Sequence, residues 1–174
     1  MKKFNPKKII RAWSKEVLEP KSDFHNGLPA CPFAKKSWLN ERVKIQVCQE
    51  DDWSDLTDSI LKFDDSIDVL IYVNNNWDHI TDTEFDARVD IINALGIKLD
   101  LWVMSSHPNH EDKPGFENNE DLDPHDSMYM VFVQKHKELV DASDKIKKLG
   151  YYSNWSKEVF NEFIIKRKIK CDKK

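Results

Sequence analysis

At 174 residues, 40% apolar and 33% charged, the chain can bury one core without disulfide staples, so a single domain over residues 1–174 is expected. Four glycines and no GxGxxG or GxxxxGK[ST] run argue against a Gly-rich phosphate cradle, and a net charge of −4 gives no general pull toward nucleic acid. No apolar run approaches the ~20 residues of a membrane span, and three distant cysteines make no disulfide framework, which points to a reducing cytoplasm.

The first helix is written by Asn5 as N-cap, Pro6 in the first turn and the stripe Ile9, Ile10, Trp13 and Val17, with Pro20 as a stop. A loop through Gly27 and Pro29 leads to a short second helix between Pro32 and Glu41. "VKIQVCQ" (Val43 to Gln49) alternates and predicts a half-buried strand. "WSDLTDSILKF" spaces Trp53, Leu56, Ile60 and Phe63 as a helix. "DVLIYVN" is a continuous β-branched run, as in a strand covered on both faces. Thr81 followed three residues later by Glu84 predicts a capping box. The helix it opens has Phe85, Val89, Ile92 and Leu95 as its buried stripe and Gly96 as its end.

"IKLDLWVMSSHP" predicts a third long strand. Residues Asn109 to Ser127 carry seven acidic side chains and no periodicity, a long acidic loop of the kind that is functional or mobile. "SMYMVFVQ" is a fourth strand, expected antiparallel at an edge. Two helices close the chain, with Leu139, Ile146 and Leu149, then Trp155, Val159, Phe163 and Ile164, as their apolar positions. The order predicts an α/β fold, a two- or three-layer sandwich with a four-stranded mixed sheet and about six helices. A ferredoxin-like α+β sandwich is the alternative. Exposed strand edges would allow a homodimer as well as a monomer.

In open α/β sheets ligands bind beyond the carboxyl ends of the strands. Here those ends are Cys48, the run "NNNWDH" after Val73, and "SSHPNHED" after Met104. With parallel strands, Asn74, His79, Ser105, Ser106, His107 and His110 would share one crevice. His107 and His110 with Glu111 and His125 have the donor chemistry of a zinc or iron site, though H-x-x-H on a turn has no fixed geometry and an acidic loop can be merely solvated. Cys31 lies before a helix start with Lys35 and Lys36 on the next turn. A reactive thiolate, a metal ligand and a packed apolar thiol all fit that position. Cys48 would be its resolving partner. Trp13, Trp53, Trp102 and Trp155 read as core, whereas Trp77 sits in a polar loop where it could line a pocket. G-x-S-x-G is absent.

The segments around Cys31-Pro32-Phe33-Ala34-Lys35 and around Ser105, His107 and Pro108 resemble an uncharacterised bacterial domain family of unknown function, which carries Leu-Cys-Pro-Phe-Ala and Ser-Phe-His-Pro segments. The resemblance spans roughly Ile9 to Val140. It departs at "NNEDLDPHDS", which is acidic and lacks the arginine the family has there. The resemblance implies no known reaction, but it singles out the same two segments. The expectation is a small enzyme joining Cys31, His107 and Ser105 on a small-molecule or peptide ligand by thiol or metal-assisted chemistry. The alternative is a non-catalytic adaptor using the acidic loop and the basic tail "IIKRKIKCDKK" as contact surfaces.

Overall fold

The computed structural model describes residues 5–48, 53–110 and 128–168. Helix α1 (Pro6–Trp13) starts as predicted, with the Asn5 side chain accepting the Lys8 N–H at 3.1 Å and Pro6 in the first turn. It runs into a π-wound turn, Ser14–Leu18, tied by the Arg11–Glu19 ion pair and by Ser14 Oγ donating to Glu19 at 3.0 Å. A two-residue ladder, β1 (Lys21–Ser22) with β2 (Leu28–Pro29), precedes α2 (Ala34–Leu39). Then follow β3 (Val43–Val47), α3 (Ser54–Leu61), β4 (Val69–Asn74), α4 (Asp82–Lys98), β5 (Leu101–Ser106), β6 (Tyr129–Lys135), α5 (His136–Lys147) and α6 (Lys157–Phe160).

The main sheet has the order β3-β4-β6-β5. β3 and β4 are parallel, and β6 is antiparallel to both β4 and β5. β6 is therefore antiparallel, as expected, but it is central and not at an edge. Its residues Tyr129 to Val131 and Val133 are buried, and a strand apolar on both faces belongs where both faces are covered. Successive side chains alternate between two cores. Leu70, Tyr72, Val131 and Val133 meet Leu56, Ile60, Phe85 and Val89 from α3 and α4 on one face. Ile71, Val73, Met128 and Met130 meet Ile10 and Trp13 of α1 on the other. Helices on both faces and a parallel β3–β4 pair set this mixed α/β fold apart from the ferredoxin-like alternative.

Thr81 caps α4 with the predicted box, its hydroxyl accepting the Glu84 N–H while Glu84 reaches back to the Thr81 N–H. The buried stripe then differs from the expected one. Phe85 and Val89 are followed by Asn93 and Gly96 as the fully buried positions, while Ile92 packs only partly buried against the same core and Leu95 is half-buried. Asn93 accepts the Val103 N–H and donates to the Val103 carbonyl, each at 3.1 Å. Both groups of Val103 thus point away from β6, and the Asn93 amide closes part of the β5 edge that would otherwise be open to another strand. Gly96 does not end the helix. It lies against β5, where a Cβ would come within 3.3 Å of the Leu101 carbonyl oxygen and of Val103 Cγ2. The turn into β5 is made by Asp100, with φ at +60°. Leu149, expected inward, is 58% exposed, and His136 takes the buried place on α5, stacked on Trp102 at 5.2 Å. No helix among the described residues is long and apolar enough to cross a membrane.

Candidate functional site

Because β3, β4 and β5 all run in one direction, their carboxyl ends share a rim, as expected for parallel strands. Cys48, one residue past β3, Asn74 at the end of β4, and Tyr129 at the start of β6 meet there. Residue parity sends Cys48 and Tyr72 to the face carrying α3.

The Tyr72 hydroxyl lies 2.8 Å from Cys48 Sγ and 2.5 Å from Asp55 Oδ1. A phenol has one proton to give and an ionised carboxylate only accepts. Tyr72 therefore donates to Asp55, and the Cys48 thiol donates to the Tyr72 oxygen. A second phenol flanks the sulfur, with the Tyr129 hydroxyl 4.0 Å from it. That hydroxyl accepts the Trp53 indole N–H at 3.0 Å and the Asn74 amide at 3.3 Å, which leaves its own proton directed at the sulfur. Burial, then donation to Asp55, pushes the Tyr72 phenol far above its ordinary range, and burial raises Tyr129 as well. Both stay protonated donors. Asp55 is half-buried, in the first turn of α3, so the hydrogen-bonded line Cys48–Tyr72–Asp55 runs from the core toward solvent.

Trp53, which starts α3, has φ +58°, a left-handed backbone unusual for so bulky a residue. Such conformations persist only where the surroundings hold them, and they gather at functional sites. Here the indole is locked edge-on to Phe85 at 5.5 Å, tied to Tyr129, and covered by the Arg88 guanidinium at 5.8 Å.

His107 is fully buried close by, yet it is not presented to a ligand. Its Nε2 bonds the Ile80 carbonyl at 3.2 Å and its Nδ1 accepts the Asn109 N–H at 3.2 Å, which fixes a neutral ring. Burial lowers its pKa. Trp77, expected to line a pocket, packs edge-on against this ring at 5.8 Å. His107 thus pins the end of β5 to the segment before α4. His110 accepts the His107 N–H on Nδ1 at 3.2 Å, with its Nε2 3.3 Å from Asp86. Both nitrogens of the His107 ring are occupied, whereas His110 Nε2 lies near Asp86 without making a hydrogen bond, and among the described residues no group of three or more His, Cys, Asp or Glu could hold a metal ion. Glu111 and His125, the other expected ligands, lie outside the described residues. The described donors thus do not fit the expected zinc or iron.

Cys31 is on the other side of the sheet. It lines a cavity of about 90 Å³ with Ile10 and Trp13 of α1 and with Ile71 and Phe132 of the sheet face beneath that helix, whereas His107 contacts Phe85 on the α4 side. The sheet stands between the two segments that the sequence suggested would join, and between Cys31 and Cys48. Burial pushes the Cys31 thiol up, the reverse of what a nucleophile needs. Its N–H is used by the Leu18 carbonyl, and the helix after it has only six residues. Ser105 is half-buried opposite Val131, and its hydroxyl has no hydrogen-bond partner among the described residues. At this rim Cys48, Tyr72, Asp55 and Tyr129 form a connected polar group with Asn74 and Trp53. Of these, Cys48 and Asn74 carried a sequence signal for the site, as strand ends. Comparison of the chain with known protein families, with curated proteins and with solved structures finds no match.

Proposed function

We propose that the chain is a small thiol-dependent enzyme of a reducing, cytoplasmic setting, with Cys48 as nucleophile and Tyr72 and Asp55 as its proton path. The hydrogen-bonded line from sulfur through phenol to a half-buried carboxylate carries this reading. When the thiol proton moves to the Tyr72 oxygen and the phenol proton moves to Asp55, the sulfur is left as a thiolate. It is then faced by two phenol donors, Tyr72 and Tyr129. A thiolate so formed attacks an electrophilic centre, and its 9% exposure suits a small substrate. Cys48 is free of any disulfide, as this chemistry requires. Cys31, His107 and Ser105 take no part in the chemistry in this reading.

Iodoacetamide tests it, since the thiolate displaces iodide and forms a stable S–C bond that peptide mass mapping assigns to one of the three cysteines. Cys48 in the native protein should label, and Tyr72→Phe or Asp55→Asn should slow it by about tenfold or more, in line with loss of a general base. A native Cys48 that does not label, or a Tyr72→Phe rate within about twofold of wild type, overturns the proposal. A second reading, a non-catalytic binding protein, has separate support in a lysine-lined groove remote in sequence from Cys48. The acidic-loop surface of that alternative lies outside the described residues.

A further inference from the structure

The C-terminal part of the chain is charged against the rest. Residues 135–174 hold twelve Lys and Arg against six Asp and Glu, in a protein whose net charge is −4. On this part the end of α5, the following turn and α6 enclose an open groove of about 380 Å³, the size of a small-ligand site. Its walls are aromatic. The Tyr152 ring stands edge-on to Trp155 at 4.9 Å and to Phe160 at 5.2 Å. Lys147 and Lys157 line it and are exposed, and neither makes an ion pair among the described residues. Lys147 Nζ sits 5.2 Å from the Phe160 ring centre. The neighbouring carboxylate Asp144 is already taken by Lys168.

A second, independent observation adds to the positive field. Arg167, 7% exposed, has no carboxylate partner among the described residues. Its Nη2 donates to Ser143 Oγ at 2.5 Å, and its Nε is buried without a hydrogen-bond partner. Its charge acts on Tyr152, a wall of the groove. A buried guanidinium without a counter-charge is costly unless something negative offsets it. The groove is also held rigid. Asn26 donates to the Leu149 carbonyl at 2.9 Å, and Asn154 donates to the Phe24 carbonyl at 3.0 Å, which fasten the turn to the N-terminal loop. Gly150 makes that turn at φ +76°, where a Cβ would come within 2.7 Å of Asn26 Nδ2.

From this charge and ring complementarity we propose that the groove binds a small aromatic phosphate of nucleoside monophosphate size. Its ring packs against Tyr152, Trp155 and Phe160, and its phosphate is held by Lys147 and Lys157. Lysine ammoniums are compact point charges, which suit a phosphate better than the paired geometry a carboxylate favours. Stacking and charge together are needed, so neither half of the ligand binds well alone.

Titration of the full chain with adenosine monophosphate, followed by tryptophan fluorescence and by calorimetry, tests this. A saturable quench is expected, lost in Trp155→Phe, with adenosine and inorganic phosphate each at least about tenfold weaker. The exposed changes Lys147→Gln and Lys157→Gln together should leave the circular dichroism unchanged and weaken binding by about tenfold or more, with a flatter salt dependence. No saturable binding up to about 5 mM overturns the proposal, as does affinity in the double variant within about twofold of wild type. Benzoate binding as tightly as the nucleotide overturns the phosphate assignment.

Discussion

Replacing Asn93 by alanine strands the backbone of an edge strand. The change removes the oxygen that accepts the Val103 N–H and the amide that donates to the Val103 carbonyl, both at 3.1 Å. Asn93 is 3% exposed and Val103 2%, so water reaches neither group unless α4 lifts from β5. Each buried, unpaired group costs about 1–3 kcal/mol. Alanine returns about 0.5 kcal/mol through its better helix propensity. A net loss of about 3 kcal/mol follows, which at a urea slope of about 2 kcal/mol/M lowers the midpoint by about 1.5 M. Tryptophan fluorescence and far-ultraviolet circular dichroism in a urea series would read it. Asn93→Leu separates the polar effect from the lost volume, because it fills the space but strands the same two groups, and it should cost about as much as alanine. Asn93→Asp keeps the acceptor but sets a carboxylate against the Val103 carbonyl, so its loss should ease as the pH falls to about 4 and the introduced acid becomes a donor. Losses below about 1 kcal/mol for both alanine and leucine would refute the edge-sealing role of Asn93.

His107 makes stability pH-dependent. Its burial lowers the folded-state pKa, so the unfolded chain binds a proton near the ordinary value of 6.5 that the folded chain does not. The stabilisation is therefore complete above about 6.5 and is lost as the pH falls from there toward the folded-state value. The gap in urea midpoint between wild type and His107→Gln should narrow between about pH 7.5 and 5, and a constant gap would sink the assignment. Gly96→Ala pits a helix-propensity gain of about 1 kcal/mol against overpacking of about 1–3 kcal/mol where the new Cβ meets the Leu101 backbone at 3.3 Å. A net loss of about 1 kcal/mol is expected, and a more stable variant would show that β5 yields there.

The local signals of the sequence were legible because they act over a few residues. The box at Thr81 and Glu84, the run from Val69 to Asn74 and the common direction of three strands follow from capping, periodicity and topology. Strand order did not. Nothing within "SMYMVFVQ" tells a covered edge from a centre, because that depends on partners as distant in sequence as Val69 is from Gln134. The stripe of α4 is hidden at Asn93 because a polar residue looks solvent-facing until its two hydrogen bonds are known. The site was half visible. Cys48 could be placed at a strand end, but Tyr72 sat inside an apolar run, and only the register turns its hydroxyl to the sulfur. Cys31 drew attention through local chemistry, and the sheet that separates it from His107 is a property of the whole chain.

The central position of β6 has a consequence for synthesis. β4 and β5 are joined to each other through α4, yet in the finished sheet a lane one strand wide lies between them, and β6, which comes after both in the chain, fills it. A ribosome releases residues in order, so a nascent chain short of Tyr129 holds Leu70, Ile71 and Trp102 with their β6 partners still unmade. Two apolar strand borders then stand ready to accept any extended segment, including one from a neighbouring nascent chain. Pairings this distant in sequence also form slowly. The period of greatest aggregation hazard therefore falls before the chain is complete, and it ends when the seven residues of β6 enter the lane.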